Sequence, residues 1–119
     1  MLLLPSSVRI FVAAEPVDLR KSIDGLSGQV RASGHDVYSG HLYVFAGRRR
    51  DRVKILAWDR GGFVLYYKRL ESGRFRWPEI AEAAREIELD ATQLAMLLDG
   101  IDLRRVARPA AWSPQERSA

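Results

Sequence analysis

Apolar and polar residues alternate from Ser7 to Ala13 (SVRIFVA), the period-two signature of a strand. Beyond it, Asp18 is placed to cap a helix, its carboxylate accepting from the free amides of the first turn. Leu19, Ile23, Leu26 and Val30 then recur at helical spacing, and Gly34 suits the left-handed residue that follows a helix. Three apolar, aromatic-rich runs come next: HLYVFA (41–46), VKILAW (53–58) and FVLYYKRL (63–70). They are separated by GRRRDR and DRGG, and the glycines of the latter permit the positive φ of a tight hairpin. Three consecutive antiparallel strands are therefore expected, with SGRFRW (72–77) as a short fourth stopped by Pro78, which has no amide to donate.

Residues 79–89 carry two patterns. Ile80, Ala83, Ala84 and Ile87 fit a helical face, while Glu86 to Leu89 alternate as a strand would; the expectation is a helical turn or short helix. Asp90 and Gln93 have capping-box spacing ahead of a stripe of Leu94, Leu97 and Leu98, and Gly100 ends that helix. The pattern as a whole predicts a single α+β domain over residues 1–107, an antiparallel meander of three to four strands with one helix before it and one after. Residues 108–119 read as a flexible, polar, proline-containing tail.

Composition narrows the function classes. At 119 residues, 47% hydrophobic and 29% charged, the chain is long enough for a core and has a globular balance. It has no cysteine, hence neither disulfides nor thiolate metal sites. MLLLPSS lacks the basic flank and long apolar stretch of a signal peptide, and no run approaches the roughly 18 apolar residues of a membrane span. A cytoplasmic protein without membrane contact is expected.

Charge is distributed in blocks. Residues 1–47 balance at four basic and four acidic side chains; residues 48–76 hold ten basic against three acidic, and residues 79–102 hold one basic against seven acidic. A basic block followed by an acidic one suits a polyanion or an oppositely charged partner. The basic block centres on GRRRDR. Arginine forks bind phosphate bidentately, so Arg48, Arg49, Arg50 and Arg52, with Lys54, are candidate phosphate contacts on a loop; the plain alternative is a solvated turn. Lys68, Arg69, Arg74 and Arg76 flank the ESG connection and form a candidate second row, or else the charged guard of an edge strand. Tyr66, Tyr67, Phe75 and Trp77 offer stacking faces, with core packing as the simpler role.

Catalytic signals are sparse. His35 and His41 lack a third ligand at metal-site spacing, and Asp18, Asp24, Asp51 and Asp59 are explained by caps and turns rather than a two-metal cleft. No cofactor, metal or enzymatic activity is expected. The leucines of QLAMLLDGIDL read first as core, with docking of a basic partner as the alternative.

The segments VDLRKSIDGL, SGHLYVF, GRRRDRVKILAWDRGGFVLYYKRLESGRFRWP and QLAMLLDGID, in that order, resemble the TnpB accessory family. These are the second-open-reading-frame products of the sixty-six-type bacterial insertion sequences, distinct from the RNA-guided nuclease sharing the name. The likeness runs from about Val8 to Asp102. The family pattern falls here on Asp18, Arg20, Lys21, Gly40, Phe45, Arg49 to Arg52, Lys54, Trp58, Gly62, Lys68 to Glu71, Gly73, Phe75, Trp77 and Pro78. Ser22 replaces an expected glycine and Gly47 an asparagine-like turn residue. The resemblance implies a role in transposition beside a separate transposase and another small accessory protein, and carries over no catalytic residues. Two functions lead as expectations: a non-enzymatic factor that binds DNA through the basic hairpin, or an adaptor that grips the transposase, or a second copy of the chain, without touching DNA; a metal-dependent nuclease acting through Asp51 or Asp59 is a weaker third.

Overall fold

The computed structural model describes residues 4–101 and Leu103. Its elements run β1 (Ile10–Ala13), α1 (Ile23–Ala32), β2 (Leu42–Ala46), β3 (Arg52–Asp59), β4 (Gly62–Arg69), β5 (Glu86–Leu89) and α2 (Ala91–Leu98). The fold is α+β, and the expected meander of β2, β3 and β4 is present. The sheet is larger and mixed, however: five strands in the order β4-β3-β2-β1-β5, with β1 parallel to β2 and all other neighbours antiparallel. The parallel pair arises because α1 lies between β1 and β2, and such a crossover returns the chain in the same direction. The helices thus stand before and after the meander, while β1 and β5 complete the sheet on its other side.

Three local expectations are corrected. Asp18 does not cap α1. Its carboxylate accepts from the Arg20 amide at 3.0 Å, and Lys21 N–H closes on Asp18 O at 3.0 Å. This local turn competes with helix for the same donors, so the helix begins four residues later, after Ser22. Residues 72–77 form no fourth meander strand; the chain there is irregular. The helical expectation for residues 79–89 fails in favour of the alternating pattern, because Glu86–Leu89 pairs antiparallel with the free edge of β1. In that register Ile87 and Leu89 join the apolar cluster under α2. The capping box is as expected: Gln93 N–H donates to Asp90 Oδ1 at 2.8 Å, and Asp90 N–H donates to Gln93 Oε1 at 3.0 Å. The expected tail at 108–119 lies outside the described residues.

The two faces of the sheet bury separate clusters. Ile10, Val12, Val44, Val53, Ile55 and Leu89 meet Leu94 and Leu97 of α2 on one face. Phe11, Tyr43, Phe45 and Leu56 meet Leu26 and Val30 of α1 on the other. Among the described residues no helix is long and apolar enough to cross a membrane.

Candidate nucleic-acid interface

The arginine run forms the β2–β3 connection. Arg50 N–H donates to Gly47 O at 3.0 Å, which closes a turn with Arg48 and Arg49 exposed at its centre. Arg50 takes the left-handed conformation, φ 59°, uncommon for a residue with a side chain. The next two carbonyls are used by a distant part of the chain: Leu70 N–H donates to Asp51 O at 2.8 Å and Phe75 N–H to Arg50 O at 2.6 Å. Segment 70–77 therefore braces the loop and brings Arg74 and Arg76 to it.

Neighbouring arginines separate by role. The Arg50 guanidinium turns inward over the Trp77 ring, 4.6 Å from its centroid, and Nη2 donates to Ala14 O at 3.2 Å. Burial pushes its pKa down, against a smaller opposing effect of Glu15. Trp77 Nε1 donates to Ala13 O at 3.1 Å, so both side chains tie the loop to the end of β1. Arg48, Arg49 and Arg52 instead point to solvent.

Pairing register fixes the remaining cations. Arg52 lies directly opposite Arg69 and Lys54 opposite Tyr67. These four share the α1 face, because side chains two apart on a strand point the same way. Lys54 Nζ donates to Lys21 O at 2.8 Å and lies 5.4 Å from the Tyr67 ring centroid. Arg69 pairs with Glu71 at 2.9 Å. Lys68 leaves the expected second row: it projects to the α2 face, where Nζ donates to Leu98 O at 2.7 Å, a cation at the negative end of that helix. Arg74 and Arg76 are exposed on either side of buried Phe75.

Of the nine candidate cations, Arg48, Arg49, Arg52, Arg74 and Arg76 thus make no side-chain hydrogen bond or ion pair among the described residues. Like charges directly opposite on a sheet, as Arg52 and Arg69 are, disfavour folding.

An open groove of about 630 Å³ runs between segment 16–20 and the arginine loop, lined by Asp18, Arg20, Arg48, Arg49, Asp51 and Arg52 among others. Arg20, through side-chain hydrogen bonds and then its backbone amide, holds the Asp18 carboxyl down at about 2, from an ordinary 3.8. The folded chain binds this proton less tightly than the unfolded one. The contact therefore contributes to stability above pH 3.8, and that contribution fades as pH falls towards 2. Carboxyl-detected NMR titration should show Asp18 titrating near pH 2, and Arg20→Gln should return it towards 3.8; an unmoved midpoint in the variant would refute the pairing.

Other titratable groups are structural in their contacts. His41 Nδ1 accepts from Arg9 N–H at 3.0 Å, and His35 Nε2 lies 2.7 Å from Glu86. Arg9 binds Glu88 at 2.6 Å and holds its carboxyl below the usual range, chiefly by that hydrogen bond. Asp51 and Asp59 stand at opposite ends of β3, roughly 25 Å apart at about 3.3 Å per residue, too far to share a metal pair. No group of three or more His, Cys, Asp or Glu able to hold a metal occurs among the described residues.

The aromatic expectations divide as well. Phe75 is buried, and Tyr66 and Trp77 pack partly against the α2-side cluster. Tyr67 is about half exposed. A group missed in the sequence lies at the far end of the same hairpin, where Trp58 and Phe63 pair across β3 and β4 and stack edge-on at 5.0 Å. Their spacing around DRGG carried the signal: a two-residue turn at Arg60 and Gly61 makes Asp59 and Gly62 partners and Trp58 and Phe63 the next pair.

Residues 8–108 match the sequence family described as IS66 Orf2 like protein. The chain belongs to this family. The IS66 Orf2-like chain is also 36% identical over 108 residues to y4jC of Sinorhizobium fredii (strain NBRC 101917 / NGR234), covering 90% of this chain and 91% of the relative. It is 35% identical over 115 residues to y4hO of the same organism, covering 94% and 96%. No solved structure matches. Membership implies an accessory role associated with transposition of an insertion sequence, and the resemblance drawn from the arginine turn and the YKRLESGRFRWP block stands.

Proposed function

We propose that this accessory protein binds the phosphate backbone of nucleic acid, DNA of the insertion sequence in the first place, without itself catalysing a reaction. The observation that carries the reading is the set of five exposed arginines without a side-chain partner among the described residues, held around one braced loop, with Lys54 and Arg69 beside them on the sheet. Arginine forks suit phosphate oxygens, and the loop that presents them is tied to segment 70–77 by two backbone hydrogen bonds. Arg50 and Lys68 support this surface from within rather than contacting the ligand.

The adaptor reading uses the same cations against an acidic protein surface. Mating with the acidic edge of a second copy is the weaker version of it, since Glu86 and Glu88 on β5 are already occupied by His35 and Arg9. Fluorescence anisotropy with a labelled duplex of the element's end, across a salt series, tests the proposal. Binding should weaken linearly in log–log form with a slope near −0.9 for each phosphate neutralised. No binding at low salt, together with transposase co-purification that survives nuclease treatment, would favour the adaptor instead.

A further inference from the structure

The α1 face of β4 continues past its cations into aromatic residues. From Arg69 the residues on this face are Tyr67, Leu65 and Phe63. Trp58 stands beside Phe63, and Tyr38, from the α1–β2 connection, closes on both with ring centroids 5.0 Å from Trp58 and 5.8 Å from Phe63. Tyr38 and Tyr67 are 53% and 49% exposed, which is far more than a core role requires. Tyr67 and Phe63 are four residues apart, roughly 13 Å at about 3.3 Å per residue.

We propose that this strip is a stacking platform for the unpaired bases of a single-stranded nucleic acid whose backbone lies on Arg52, Lys54 and Arg69. The inference rests on the phosphate-binding reading above and adds the strandedness of the ligand. In a duplex the base faces are stacked on one another and hidden, so ring faces beside a cationic row have no use for it. A strand with splayed bases offers both partners at once, phosphates to the cations and π-faces to the aromatics. The platform would hold about two or three bases, as aromatic-bearing sheet faces of similar width do. Stacking is tolerant of sequence, so no strong base preference is expected.

The test compares a labelled single-stranded oligonucleotide with a duplex of the same sequence, using the full chain and the variants Tyr67→Leu and Tyr38→Leu. Leucine keeps apolar bulk, and circular dichroism confirms that each variant folds. The single strand should bind more tightly than the duplex, and each variant should lose roughly five- to a hundred-fold in single-strand affinity. Duplex affinity and the salt slope should be unchanged. Equal binding of both ligands, or single-strand affinity indifferent to both tyrosines, would overturn the stacking platform and leave the phosphate-binding reading intact. Failure of both ligands to bind at low salt would end the two together.

Discussion

Replacing Phe75 with alanine is expected to remove about 3–5 kcal/mol of folding stability, the range for deleting a buried aromatic ring. Phe75 is 3% exposed and packs into the cluster formed by Val44, Val53, Leu89, Leu94 and Leu97. Among residues 71–88 it is the single fully buried side chain, so it anchors the long connection from β4 to β5. Domains of ordinary size are stable by about 5–15 kcal/mol, so this loss is about a fifth of the total at the least. The exposed neighbours Arg74 and Arg76 should change stability by no more than about 0.5 kcal/mol when replaced. Urea denaturation measures all three. An unchanged midpoint for Phe75→Ala would mean that the ring is not inserted and that the segment does not brace the arginine loop.

The second large effect is expected at Arg50. Its alanine variant loses a charged hydrogen bond to Ala14 O, worth about 1.5–3 kcal/mol, and a cation–π contact worth about 0.5–2 kcal/mol. Part of this is offset, because Nη1 is buried without a partner among the described residues and its desolvation is relieved. A net destabilisation of about 1–3 kcal/mol follows. Arg50→Gly should be milder than a loss of contacts alone suggests, since glycine adopts φ 59° without strain. Arg50→Ala should leave the salt slope of nucleic-acid binding unchanged, whereas exposed Arg49→Ala should shift the slope and spare stability. A variant at Arg50 that keeps its denaturation midpoint and loses a phosphate's share of slope would reverse the two roles.

The contrast between Arg49 and Arg50 shows where the sequence stops being legible. Local signals that depend on near neighbours are readable: the apolar, aromatic-rich runs of β2, β3 and β4, the tight turn at Arg60 and Gly61, and the Asp90–Gln93 box all form as expected. Most of what the sequence leaves open depends on distant partners, with Asp18 a local exception. Glu86–Leu89 looks helical or extended alone, and only the open edge of β1 decides between them. The inward turn of Arg50 requires Trp77 and Ala14, neither visible from RRRDR. Lys68 and Arg69 are adjacent in sequence and fall on opposite faces once the strand forms, so a row of four cations along one edge was never geometrically available. Asp18 failed as a cap because Arg20, two residues on, offers its carboxylate a closer set of donors.

The central claim is that the exposed arginines of the loop and sheet, and not the half-buried one, contact phosphate. The most direct test is the salt dependence of duplex binding by the double variant Arg49→Gln, Arg52→Gln against the unaltered chain, with matched denaturation curves. The account predicts stability equal to or slightly above that of the unaltered chain, since the Arg52–Arg69 repulsion is relieved, and a log–log slope smaller in magnitude by about 1.8, which is 0.9 for each lost contact. An unchanged slope in a folded double variant would contradict it and remove this surface from the interface.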